Sequence, residues 1–140
     1  MNLLDTLQIS ASGLTSQRVR LQTIASNMAN ARTTRTEEGG PYRRKLPVFE
    51  ARPLDPFGDA LGQAMAEPTV TEITEDDAPP VRVFDPGHPD ADADGYVSYP
   101  AINLMEEMVD LMSTSRTFEA NTKVVETTRQ MASEALNIGR

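Results

Sequence analysis

Apolar residues in the first thirty positions recur at helical spacing. Leu7, Leu14, Leu21 and Met28 fall on every seventh residue. Leu4, Ala11, Arg18 and Ala25 fill the alternate heptad positions at steps of three and four. The spacing predicts one helix over residues 3–29, with a narrow apolar seam and Ile24 beside it. Gly13 is a weak point in that helix, about 1 kcal/mol poorer than alanine. Its missing side chain marks a place where another helix can approach closely.

The same alternation returns over residues 103–138. Leu104, Met108, Leu111, Ser115, Phe118, Thr122, Val125, Arg129, Ala132 and Leu136 form a second stripe. Asn103 reads as the N-cap, with Glu106 three residues on to complete a capping box. Pro100 lies just upstream, and Glu106, Glu107 and Asp110 suit the positive end of the helix dipole. At about 1.5 Å per residue this helix is roughly 50 Å long. Several seam positions are small or polar: Ala11, Arg18, Ser115, Thr122 and Arg129. A two-helix hairpin therefore accounts for part of the burial, and the weak seam suggests that further helices join it. Met105, Met108 and Met112 read either as ordinary core or as an adaptable contact surface.

Between the helices the pattern changes. Short extended runs at Tyr42–Phe49, Thr69–Thr74, Val81–Phe84 and Tyr96–Tyr99 read as strands. Gly39-Gly40-Pro41 and Asp85-Pro86-Gly87 are turn signals. Phe57, Leu61 and Met65 are spaced for a short helical turn over 57–65, and residues 75–80 read as an exposed acidic loop. The expected fold is mainly α with a small β-rich middle, the long terminal helices pairing as a coiled-coil-like hairpin. Three regions follow: 1–36, the N-terminal helix and its exit; 37–102, a β-rich acidic middle; 103–140, the C-terminal helix. The two helices together form one terminal domain.

Composition sharpens this picture. The 140 residues are 39% hydrophobic and only 5% aromatic, with no Trp. Aromatic residues carry much of the buried area in compact cores, so their scarcity suggests burial against other chains. The net charge of −8 disfavours nucleic acid and anionic membrane as partners. Residues 1–36 carry Asp5 against Arg18, Arg20, Arg32 and Arg35, so the negative charge gathers in the middle. There is no Cys, which excludes disulfides and thiolate chemistry. No apolar run approaches a membrane span, and the N-terminus lacks the basic start of a cleaved secretory leader.

Candidate chemistry is sparse. Asp90-Ala91-Asp92-Ala93-Asp94-Gly95 fits the opening of a calcium-binding loop, but the twelfth position is Ala101 rather than Glu. An acidic turn into a strand is the plainer reading. His88 is the only histidine and sits in a Gly-His-Pro turn. Arg43-Arg44-Lys45 reads as a solvated basic face, with an acidic neighbour as the alternative. No catalytic residue, metal site or cofactor is implied.

The residues also carry a resemblance. Ile9-Ser10-Ala11-Ser12-Gly13-Leu14, then Ser26-Asn27-Met28-Ala29-Asn30-Ala31 and Thr33-Thr34, resemble the N-terminal signature of flagellar rod, hook and related axial proteins. Glu38-Gly39-Gly40-Pro41-Tyr42-Arg43-Arg44-Lys45 resembles the proximal-rod members more particularly. Gly95-Tyr96-Val97, Glu106 to Asp110, and Ser115-Arg116-Thr117-Phe118-Glu119-Ala120-Asn121 resemble the family's C-terminal part. Ala101 stands where the family usually has Asn, and Phe118 where it often has Tyr. The resemblance implies a structural subunit of the drive-shaft rod, lying in the periplasmic space. It implies export by the flagellar type III apparatus without cleavage, and helical assembly with copies of itself and other rod proteins. The seam residues Leu7, Leu14, Leu21, Met28, Leu104, Met108, Leu111, Phe118, Val125 and Leu136 are then the candidate assembly interface. Asn27, Asn30 and Asn121 are candidates for fixing helix ends or register, against the plainer alternative of solvated polar positions. Competing readings are another axial subunit, a cytoplasmic coiled-coil adaptor or export chaperone, and a calcium module.

Overall fold

The computed structural model describes residues 3–54 and 65–138. Helix α1 spans Leu3–Ala29 and helix α2 spans Leu104–Ile138. Between them lie β1 (Lys45–Pro53), β2 (Ala66–Glu75), β3 (Val81–Phe84) and β4 (Tyr96–Tyr99). The fold is mainly α with a β-rich middle.

Local chemistry sets the helix ends. Asn103 Oδ1 accepts the Met105 N–H at 3.1 Å, satisfying one of the free donors at the start of α2. Asn103 Nδ2 donates to Glu106 Oε1 at 3.0 Å, so the side-chain amide, not the backbone N–H, completes the capping pair. At the other helix, Asn30 Nδ2 donates to the Ser26 carbonyl at 2.9 Å, and Asn30 Oδ1 accepts from Thr33 Oγ1 at 3.1 Å. Asn30 thus closes the end of α1 rather than facing solvent alone.

The helices run antiparallel: Asn27 of α1 meets Glu107 of α2, and Gly13 meets Asn121. A Cβ on Gly13 would stand 3.2 Å from Asn121 Nδ2, so the glycine does mark the close approach. The pairing face differs in phase from the predicted seam. On α2 it takes the half-buried Leu111, Phe118, Val125 and Ala132. The alternate positions are Glu107, Thr114, Asn121 and Thr128, each one residue before Met108, Ser115, Thr122 and Arg129. Leu104, Met108 and Leu136 lie exposed, outside the pairing face. On α1 the buried positions are Gly13, Ser16, Thr23, Ile24 and Asn27, while Leu7, Leu14, Leu21 and Met28 are half-buried along the flank. Leu4, Ala11, Arg18 and Ala25 face outward. Small and hydroxylic residues occupy the inner face because they let the axes approach. Two of the hydroxyls are satisfied locally, Thr23 and Thr128 donating to the carbonyls of Val19 and Val124 at 3.0 and 2.8 Å, whereas the buried Thr114 Oγ1 has no hydrogen-bond partner among the described residues.

The strands form two separate antiparallel hairpins. β1 pairs β2 from Lys45↔Glu75 to Pro53↔Ala66, with an irregularity between Val48 and Phe49. β3 pairs β4 from Val81↔Tyr99 to Phe84↔Tyr96. The first strand begins at Lys45 rather than Tyr42, because the Tyr42 N–H donates back to the Thr33 carbonyl at 3.1 Å. Gly39 and Gly40, at φ of 89° and 82°, make the preceding turn in a region that side-chain-bearing residues disfavour. β2 runs longer than predicted at both ends, matching β1. The helical turn predicted over 57–65 lies, apart from Met65, outside the described residues.

Helix α1 lies across the first hairpin. Ser16 Oγ donates to the Pro68 carbonyl at 3.0 Å, and Gln8 Nε2 donates to Glu67 Oε2 at 3.4 Å. Glu67 is 5% exposed and pairs with Arg52 across the hairpin, Nε to Oε1 at 3.0 Å. The Arg52 hydrogen bond holds the Glu67 carboxyl below its ordinary value of 4.5, against the opposing effect of desolvation. A carboxyl depressed on folding contributes stability above its unfolded value and loses it as pH falls through the folded value. Melting of the wild type should therefore weaken below about pH 4.5. Glu67→Gln should show a shallower acid limb in a pH series of thermal melts. Identical limbs would show that the pair contributes nothing to acid sensitivity.

Candidate assembly interface

Four chain segments converge on Asn27. Its side-chain amide pairs with Lys45 as a neighbouring strand would: Nδ2 donates to the Lys45 carbonyl at 2.9 Å, and Oδ1 accepts the Lys45 N–H at 2.9 Å. Tyr42 donates its hydroxyl to the same Oδ1 at 3.2 Å and lies 3.2 Å from Ser26 Oγ. Asn27 Nδ2 also reaches Glu107 Oε2 at 3.4 Å. Glu107 Oε1 accepts from Arg44 Nε at 2.7 Å and Nη2 at 2.6 Å. The Glu107 side chain is 1% exposed and that of Arg44 25% exposed. Helix α1, the loop through Tyr42, strand β1 and helix α2 are thus locked together by one buried polar node. Such a node is costly unless every member is partnered, and here each is.

Asn27 and Tyr42 stand among the motif residues of the sequence, but nothing in it pairs Arg44 with Glu107. The sequence reads Arg44 as part of a solvated basic face, with an acidic neighbour as the alternative, and Glu107 as a helix-dipole residue within the family-like run Glu106 to Asp110. The structure favours the alternative for Arg44: it pairs with Glu107 of α2 at the start of β1. A carboxylate inside a run of exposed acids gives no sequence signal for burial.

The exit from α1 is held by the acidic turn. Thr34 Oγ1 donates to Asp90 Oδ2 at 2.8 Å, and Arg35 lies 3.9 Å from Asp90 Oδ1. Asp92 Oδ1 accepts the N–H groups of Tyr96 and Asp94 at 2.8 and 3.0 Å, and its other oxygen pairs with Arg82. Chiefly through the Tyr96 N–H bond, the Asp92 carboxyl lies below the usual carboxylate range. These carboxylates serve a turn. Among the described residues no three acidic or histidine side chains gather as a metal site. Gly95, at φ 80°, lets the turn close: a Cβ there would sit 3.0 Å from the Phe84 ring. Tyr96 packs edge-on to Phe84 at 5.3 Å, with the Arg82 guanidinium 4.9 Å above its ring. His88 Nδ1 accepts the Asp90 N–H at 3.1 Å, a turn contact.

The remaining motif residues scatter. Ser12 donates to the Ile9 carbonyl at 2.9 Å, Pro41 is half-buried beside the node, and Ala29, Gly39 and Gly40 are exposed. Arg116, Glu119 and Ala120 face outward on α2, while Asn121 turns inward against Gly13. The outward side of the first three turns of α2 carries Met105, Met108, Val109 and Met112, all exposed. No helix of the described residues is long and apolar enough to cross a membrane.

Two family models match the two helical ends. "Flagella basal body rod protein" covers residues 7–35, and "Flagellar basal body rod FlgEFG protein C-terminal" covers residues 93–138. The flagellar basal-body rod protein FlgC of Bacillus subtilis is 40% identical over the full length of both chains. The chain belongs to the FlgC family. The FlgC protein of Borreliella burgdorferi is 38% identical over 99% of this chain and 98% of its own. That of Escherichia coli O157:H7 is 39% identical over all of both chains. Asn27 and Glu107 both lie within the residues that the two family models match.

Proposed function

We propose that this chain is a structural subunit of the flagellar rod whose paired terminal helices complete their burial against helices of neighbouring rod subunits. In this reading residues 1–36 and 103–140 form the axial domain, and residues 37–102 the outer one. The neighbours are further copies of the chain and other rod proteins. The chain reaches the periplasmic rod through the flagellar type III export apparatus. Its role is mechanical rather than catalytic.

One observation carries this reading. α2 presents Leu104, Met105, Met108, Val109 and Met112 on the side that α1 leaves uncovered, with Met131 and Leu136 exposed farther along. Apolar surface of that extent on one element marks an interaction site. Together with the half-buried flank of Leu7, Leu14, Leu21 and Met28, it supplies what the predicted seam would use. Contacts of this kind, repeated head to tail without closing, build a helical array.

Met108→Asp tests it, because Met108 contributes little to the isolated fold. The variant should keep wild-type helicity by circular dichroism yet fail to support swimming, since a charge in a dry interface is costly. Leu21→Asp and Leu111→Asp should also block assembly. Normal swimming by all three would remove the seam from the account.

A further inference from the structure

A groove opens where α1 ends and α2 begins. Ala31, Val81, Val83, Tyr99, Ile102 and Leu104 line it, around a volume of about 450 Å³. Val81 and Val83 remain 52% and 44% exposed there, although Val97 beside them is fully buried. Arg32 also lines the groove, exposed and without an ion pair among the described residues. The site therefore offers an apolar wall with one unmatched positive charge.

The far end of the same helical hairpin has the opposite character. Leu4 and Leu136 are 69% and 74% exposed, Met131 is exposed, and Glu134 stands among them. Among the described residues Glu134 accepts only a local bond, from Gln130 at 3.1 Å. With 27 residues in α1, the two ends lie about 40 Å apart. A chain cannot seat its own free end in its own groove.

We propose that the groove seats the free end of the helical hairpin of the next axial subunit, a partner with exposed Leu and Met side chains and a carboxylate that meets Arg32. This rests on the rod reading above and deepens it by assigning one of its contacts. This chain's own free end has that chemistry, so polarity and charge match between unlike ends. Such a contact is heterologous and leaves both ends open for further subunits.

The test places the photoreactive residue p-benzoylphenylalanine at position 102 of the full chain, or at position 83 if the first variant does not assemble. Purified basal bodies are irradiated and the attached peptides mapped by mass spectrometry. The expected product joins the probe to the first or last ten residues of an axial rod subunit, another copy or a related one. Attachment only within the same chain, to a ring protein or to a middle region overturns the proposal. Recovery of the probe-bearing chain in basal bodies tests rod membership separately from the groove. Arg32→Glu should cut the cross-link about tenfold or more by setting like charges together. Arg43→Glu should leave it intact, because among the described residues Arg43 forms an ion pair only with the exposed Asp77. Equal loss in both variants, or in neither, would refute the role of Arg32.

Discussion

Arg44→Ala is expected to lower the stability of the folded chain by about 3–5 kcal/mol, because it strands a buried carboxylate. Glu107 is almost fully enclosed, and Arg44 supplies both of its close donors. The partners are unequal. Glu107→Gln keeps a group of the same shape at the node, and Arg44, a quarter exposed, can turn to water. That variant should lose less than half as much. Replacing both with Met should recover much of the loss, since an apolar pair escapes the desolvation cost. Urea unfolding followed by circular dichroism measures all three. An Arg44→Ala midpoint close to wild type would show that the pair is solvated and not a node.

Asn27→Asp is expected to be the next most damaging change, at about 3 kcal/mol. It removes the donor to the Lys45 carbonyl and places a second carboxylate 3.4 Å from Glu107. Asn27→Ala leaves the Lys45 N–H and carbonyl unmatched but adds no charge, so it should be milder at neutral pH. Thermal melts of the two variants decide this. A less damaging Asp would mean that the Lys45 N–H bond, which Asp retains, outweighs the repulsion.

These two variants also mark where the sequence stopped being legible. The helix boundaries could be read because heptad spacing and the Asn103 cap are local signals, and both survive in α1 and α2. The β3 and β4 runs could be read because Asp85-Pro86-Gly87 and Gly95 bracket them. The phase of the helix pairing could not. Apolar periodicity finds the greasiest face, whereas α1 and α2 meet through Gly13, Thr114, Asn121 and Thr128, residues chosen for size. The greasy face of early α2 is left outside. The start of β1 was misplaced for a similar reason: the Tyr42 N–H is claimed by Thr33, nine residues back, and nothing in the Tyr-Arg-Arg-Lys run announces it. The charge pair joins residues 63 apart. One carboxylate among the several at the start of α2 carries no mark of its partner.

The central claim is that this chain is a structural part of the rod. Its most direct test is electron microscopy of basal bodies from the native bacterium with the gene deleted, beside the same strain carrying the intact gene. The account predicts no rod beyond the export base in the deletion strain, no swimming, and recovery of both with the intact gene. Normal rods and normal swimming in a strain with no second copy of the gene would contradict it.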